Sequence, residues 1–221
     1  MRQSKDQILF DVHNHCINLS LRDIYLHSFY DKESDGEPGV EYRMATTFTK
    51  NMYILDQNPF KPILVHLHSV GGCWWNGMAI YDVIQYATSY ITMLCYAQAS
   101  SMSGVILQSA RCRVMMPDAH FMMHHGVIGA ENHPMAVKSA VDFEAKMCNR
   151  MLQIFARRAV VGPFFKKRKS TTVQAIYNFF DKKLKDKIDW YLDAEETVFF
   201  GLADFVLGHK QYPTVASLRE T

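Results

Sequence analysis

A chain of 221 residues with 48% hydrophobic and 21% charged side chains has the material for one substantial core, which excludes a wholly disordered protein. Its 24 basic and 22 acidic side chains leave a net charge of +2, so no polyanion-binding signature covers the whole molecule. Five scattered cysteines (Cys16, Cys73, Cys95, Cys112 and Cys148) contain no C-x-x-C pair, which excludes a disulfide framework and points to a reducing compartment.

Residues 8–10 are the longest early apolar run, and no stretch approaches the roughly 18 apolar residues of a membrane span, so a cytoplasmic protein is expected. Apolar stretches at 8–12 and 24–30 open the chain, the second strand-like. Residues 31–41, acidic with Gly and Pro, read as an exposed loop. A helical or mixed segment at 44–55 leads through a Pro-rich turn at 58–62 into a β-rich run at 63–68, which ends at Ser69-Val70-Gly71-Gly72. Near-helical spacing follows at 77–87, then a buried strand at 91–96 and the start of a helix at 101–107. Short strands at 114–116 and 121–123 are split by Pro117-Asp118. Pro134 suits the first turn of a long helix running to about residue 158, whose apolar arc is wide enough to be clamped between two surfaces. Gly162-Pro163 breaks that pattern before a basic run. Asp193-x-x-Glu196 then predicts a capped short helix ending at Gly201, followed by a strand at 205–207. Strands alternating with helices predict an α/β fold, and no linker splits the chain, so a single domain over 1–221 is expected.

Three places carry residue types suited to chemistry. Gly71 and Gly72, directly after a buried strand, leave backbone N–H groups unshielded; the same pair also makes a tight strand-to-helix turn. The run Ser100-Ser101-Met102 sits where a strand meets a helix, so a hydroxyl there is either presented at the helix start or serves as its cap. His124, at the end of an apolar strand, suits a general base or a structural histidine. Spacing alone does not join the three into one site.

Taken together, residues 62–107 resemble the core of the ClpP family of self-compartmentalised serine peptidases. There a strand ends in Ser-Pro-Gly-Gly, an A-I-Y-D helix follows, and the nucleophile lies in an Ala-Ser-Met turn. The counterparts here are Ser69-Val70-Gly71-Gly72, Ala79-Ile80-Tyr81-Asp82 and Ser100-Ser101-Met102. Downstream, Met116-Pro117-Asp118-Ala119-His120-Phe121-Met122-Met123-His124 is similar to the family's L-P-N-S-R-x-M-I-H. The run from Asp189 to Glu196, with Gly201-Leu202-Ala203-Asp204 after it, resembles D-x-x-L-S-A-x-E-A-x-x-Y-G-L-V-D. The motifs keep their order from about residue 22 to 208.

Carried over residue by residue, the resemblance makes Ser101 the nucleophile, His124 the general base and Asp189 the carboxylate orienting it. It places the oxyanion hole at the backbone N–H groups of Gly72 and Met102. It implies a crotonase/ClpP-like stacked ββα spiral core with a projecting helical handle at 134–188, and a serine endopeptidase acting on unfolded polypeptides. Rings, usually heptameric and stacked in pairs, are implied, with an AAA+ unfoldase partner and no cofactor.

Val70 stands where the family has proline, and His125-Gly126 where it has Gln-Pro, which bears on peptide preference. Trp74 and Trp75 replace smaller residues and are read as packing on a helix, with a substrate-facing aromatic pair as the alternative. The first 20 residues do not match the family's axial loops, and the compact, divergent sequence with this altered N-terminus resembles phage-encoded relatives, a resemblance that implies capsid-associated processing. Two His-x-His pairs, His66/His68 and His13/His15 with Cys16, suit zinc by residue type but lack further ligands at useful spacing. Ten Lys/Arg against two Asp between Arg157 and Lys187 read as a solvated helix face, with docking of an acidic partner or nucleic acid as the alternative. Three rivals to the peptidase remain: a catalytically silent or partner-activated ring subunit, a binding module using the basic face, and an acyl-CoA enzyme needing no serine–histidine pair.

Overall fold

In the computed structural model, residues 4–27, 37, 39–127, 129, 131, 133–168 and 172–220 are described. Ser4 starts α1 (Lys5–His15) by accepting a hydrogen bond from the Gln7 N–H, and Cys16 ends it at φ 56°. Two short strands follow, β1 (Ile17–Asn18) and β2 (Asp23–His27); residues 28–30 of the expected strand lie outside the described residues. Most of the expected acidic loop does too, but Glu41 caps α2 (Tyr42–Asp56), accepting from the N–H groups of Arg43 and Met44. β3 (Ile63–Ser69) passes through the paired glycines into α3 (Trp74–Gln85), and β4 (Ile91–Ser100) passes into α4 (Met102–Leu107). β5 (Cys112–Met115) and β6 (His120–Met123) flank the Pro117-Asp118 turn. Pro134 opens α5 (Pro134–Ala159), and Gly162 and Pro163 then end it and begin α6 (Pro163–Lys167). α7 (Val173–Lys187), capped by Thr172, and β7 (Trp190–Leu192) follow. The predicted capping box starts α8 (Ala194–Phe199); β8 (Phe205–Val206) and a 3-10 turn at Ala216–Arg219 complete the chain.

The result is an α/β fold with a parallel-rich sheet in the order β1-β2-β3-β4-β5-β8. β2, β3, β4, β5 and β8 run parallel, while β1 is an antiparallel edge. Parallel strands covered on both faces read as continuous apolar runs, which is why β3 and β4 were visible in the sequence. Ile63, Val65, Leu67 and Met93 enter the main core with α2, α3, α4 and the end of α5. Leu64 and Leu94 point to the other face, where Val114, Tyr212 and Leu218 cover them.

β4 changes partner along its length. Residues 92–95 pair with β5, whereas 98–100 pair with β6. Ala97 at φ 38° and a register shift against β3 mark the bend. β6 therefore leaves the first layer, and β7 pairs antiparallel to its free side.

α5 is buried only toward its end, through Met151, Leu152, Phe155, Ala156 and Ala159. Met135 is 63% and Val141 51% exposed, so the expected double clamp is not closed within one chain. The stretch from 160 to 188, expected as part of the helical handle with a solvated basic face, forms α6 and α7. Phe164, Phe165, Phe179, Phe180, Trp190 and Phe200 build a ring cluster there. Lys167, Arg168 and Lys183 lie over rings of that region, so part of the basic run serves packing. A separate buried charge ties β5 to the segment before β8: Arg113, fully buried, donates to Asp204, Gln108 and the Gly201 carbonyl.

Candidate active site

The bend in β4 delivers Ser101 into a sharp strand-to-helix turn at φ 53°, ψ −122°. This is a sparsely populated conformation for a residue with a side chain, and the surroundings hold it. The Ser101 N–H donates to the Met122 carbonyl (2.9 Å), which extends the β4–β6 pairing by one residue. Gly71, at φ 97°, packs beneath the turn: a Cβ there would lie 2.6 Å from both the Ser100 carbonyl oxygen and Ser101 Cβ. Only glycine fits that approach.

β6 sets the other two groups. Its antiparallel register with β7 pairs Phe121 with Leu192, Met122 with Tyr191 and Met123 with Trp190. One step further along that register brings His124 opposite Asp189. Ile188, at the end of α7, takes φ 64°, ψ −73°, a γ-turn conformation unusual for a β-branched residue, and so turns the chain into Asp189. His124 Nε2 lies 2.8 Å from Ser101 Oγ, and His124 Nδ1 lies 3.1 Å from Asp189 Oδ1. Hydroxyl, imidazole and carboxylate thus stand in series, the first pair hydrogen-bonded and the second within ion-pair distance. Such a series can draw the proton from a serine oxygen and support the imidazolium that results. The Asp189 side chain is 47% exposed, so its charge is partly screened.

Ser100, the neighbouring hydroxyl, is buried and donates to Gln98 Oε1 instead (3.2 Å). Gly72 and Met102 line the same cleft as Ser101 and His124, a volume of about 370 Å³. Among the described residues neither backbone N–H has a hydrogen-bond partner, so both are available to an oxyanion. The glycine turn is held by Val40, whose N–H donates to the Gly71 carbonyl (2.6 Å) and whose carbonyl accepts from Cys73 N–H (2.9 Å). Nothing in the sequence marked Val40.

Sequence reasoning also missed Glu144, Met147, Cys148 and Met151, which form a wall of the cleft from α5. Met147 and Met151 were legible as part of the wide arc, but not the surface they face, and Glu144 and Cys148 were not part of that reading. Trp74 does more than pack: it lines the cleft while resting on the core, whereas Trp75 stacks on Phe143 outside it.

The two His-x-His pairs lie elsewhere. His66 is engaged on the opposite sheet face by Tyr96 OH (2.8 Å) and Asp23 Oδ2 (3.2 Å) and stacks on Tyr25. Arg219 clamps the same carboxylate, its Nε 2.9 Å from Asp23 Oδ1. His13 and His15 are exposed near the end of α1, while Cys16 is buried. Among the described residues no three His, Cys, Asp or Glu side chains are grouped to hold a metal ion. No helix among them is long and apolar enough to cross a membrane.

Comparison with known proteins bears on the whole arrangement. The family model described as Clp protease matches residues 35–210. The ATP-dependent Clp protease proteolytic subunit 3 of Synechococcus sp. (strain CC9605) is 29% identical over 171 residues, covering 75% of this chain and 77% of that protein. The protein of the same name from Parasynechococcus marenigrum (strain WH8102) is 30% identical over 170 residues, with the same coverage.

Proposed function

The chain belongs to the Clp protease family, and on that premise we propose that it is a serine endopeptidase hydrolysing unfolded polypeptides through Ser101, His124 and Asp189. The observation that carries the reading is the series Ser101 Oγ, His124 Nε2, His124 Nδ1 and Asp189 Oδ1, with separations of 2.8 and 3.1 Å, beside a cleft.

In this reading a proton on His124 Nδ1 points to Asp189, which leaves Nε2 to accept the Ser101 proton as Oγ attacks the substrate carbonyl. The oxygen that becomes negative is held by the N–H groups of Gly72 and Met102. Each such donor is worth about 3 kcal/mol to the transition state. The imidazolium then gives its proton to the departing amine, leaving an acyl group on Ser101 Oγ. Water, deprotonated by His124 in its turn, releases the acyl group.

Assembly belongs to the proposal as well. The exposed apolar side chains Met135 and Val141 on α5 favour packing against further copies in a heptameric ring, stacked in pairs through this handle. The relatives are named as subunits of an ATP-dependent protease, which favours an AAA+ unfoldase partner. The free thiols of Cys16, Cys73, Cys95, Cys112 and Cys148 favour a reducing, cytoplasmic setting.

The test is labelling with a fluorophosphonate probe followed by peptide mapping, beside Ser101→Ala. One adduct, on Ser101 and lost in the variant, is the expected result. No adduct on the folded, assembled protein would replace the reading by that of a silent ring subunit.

A further inference from the structure

We infer that Glu144 makes this peptidase select a basic residue, lysine or arginine, on the acyl side of the bond it cleaves; the inference rests on the reading of Ser101 as nucleophile. During acylation the acyl half of the substrate is bonded to Ser101 Oγ, so its side chain enters the cleft that Ser101 itself lines. The far wall of that cleft is one face of α5, carrying Glu144, Met147, Cys148 and Met151. A second cleft, on the Asp189 and Lys185 flank of His124, does not include Ser101 and suits the departing half.

Glu144 supplies the carboxylate of the first cleft, and among the described residues no cation pairs with it. A Cβ on Gly126 would lie 3.3 Å from Glu144 Oε1, which sets the carboxylate against the segment that follows His124. Its polar neighbour is the Cys148 thiol, with Sγ 3.8 Å from Oε1; the single S–H has a nearer acceptor in the His125 carbonyl at 2.9 Å. Burial first, and then Glu144, push that thiol up to about 11, so it stays neutral and adds no second negative charge to the cleft. The His125 ring is turned to Asp181 at 3.5 Å.

A half-buried carboxylate without a cation is stabilised by one that arrives with the substrate. Trp74, Val105, Met147 and Met151 give the apolar walls that a methylene stem needs, and about 370 Å³ admits a long side chain. A leucine would fit those walls but leave Glu144 desolvated and unpaired, and a glutamate would meet like charge.

The test uses labelled peptides that differ only at this residue (Arg, Leu or Glu) and the full chain. Binding is read by fluorescence anisotropy on Ser101→Ala, and hydrolysis is read on wild type. Arg should be favoured over Leu by about tenfold or more in both readouts, as expected for a partly buried charge pair. Glu144→Gln should bring the two to parity, and Glu144→Lys should invert the order toward Glu. Equal binding of Arg and Leu peptides by Ser101→Ala, or a preference that Glu144→Gln leaves intact, overturns the inference. If the preference vanishes with Glu144→Gln while wild type and Ser101→Ala hydrolyse alike, the nucleophile reading fails and the cation subsite stands.

Discussion

Gly71→Ala isolates what the nucleophile turn requires. The added methyl would lie 2.6 Å from the Ser100 carbonyl oxygen, 2.6 Å from Ser101 Cβ and 3.0 Å from Met102 N. None of these is the loose end of a long side chain, so the turn itself must move. Two costs follow. Gly71 is at φ 97°, where holding a residue with a side chain costs about 1–3 kcal/mol of stability. The second cost falls on chemistry, because the displaced groups are the proposed nucleophile and one proposed oxyanion donor. Loss of one such donor is worth about 3 kcal/mol, or roughly 10²–10³ in kcat.

Gly208→Ala separates the two costs. Gly208 is also at positive φ, 100°, but nothing lies within 4 Å of its would-be Cβ. It should lose stability and leave the site alone. The assay is peptide hydrolysis and the rate of fluorophosphonate labelling, with thermal melts of both variants. Gly71→Ala should lose about 10²-fold or more in both rates, while Gly208→Ala should lose stability only. Wild-type rates in a folded Gly71→Ala variant would refute the argument that this contact aligns Ser101 and Met102.

Three further outcomes rest on the carboxylates Asp189, Asp204 and Asp23. Asp189→Asn should lower kcat by about 10²–10³, less than the ~10⁴ found when a buried orienting carboxylate is replaced, because Asp189 is 47% exposed; a loss of 10⁴ or more in steady-state assays would mean that Asp189 works dry. Asp204→Ala strands Arg113, whose side chain is 1% exposed, and should cost about 3–5 kcal/mol in urea unfolding. Arg113→Met combined with Asp204→Leu should lose much less, and equal losses would refute the stranded-charge explanation. For Asp23, burial would raise the carboxyl, but hydrogen bonds from His66 and Arg219 hold it below its ordinary range. A carboxyl lowered by folding stabilises above its unfolded value of about 3.9, and that contribution is lost as pH falls through the lower folded value. Asp23→Asn should therefore be less stable than wild type at neutral pH, with the gap closing below about pH 4 in urea titrations.

What the sequence made legible follows from what each pattern encodes. β3 was readable because both of its faces are covered, but β4 runs to Ser100 instead of stopping near 96, since the half-exposed Tyr96-Ala97-Gln98 bend interrupts the apolar run. α7 was read only as a solvated helix face, and its buried side was not foreseen although Ile176, Phe180 and Leu184 recur every four residues; the lysines around them drew the reading toward charge. α1 was seen only as an apolar stretch, with its capping Ser4 overlooked. For the site, Ser101, His124 and Asp189 came from family resemblance. Their geometry depends on two registers of β6, one with β4 and one with β7 from some 70 residues later, and no local periodicity carries that.

The wide apolar arc of α5 shows how a correct pattern can hide its causes. Its breadth suggested two packing surfaces, and the structure divides it into three. Leu152, Phe155, Ala156 and Ala159 enter the core. Glu144, Met147, Cys148 and Met151 face the cleft. Met135 and Val141 remain exposed, and Phe143 stacks on Trp75. A helix that seats a core, walls a cleft and leaves further apolar side chains exposed must be apolar over much of its circumference. Glu144 interrupts that surface where the cleft wall lies, and a carboxylate placed there needs a reason other than packing. Recognition of a cation brought by the substrate provides one, and it ties the charge on the handle to the chemistry proposed at Ser101.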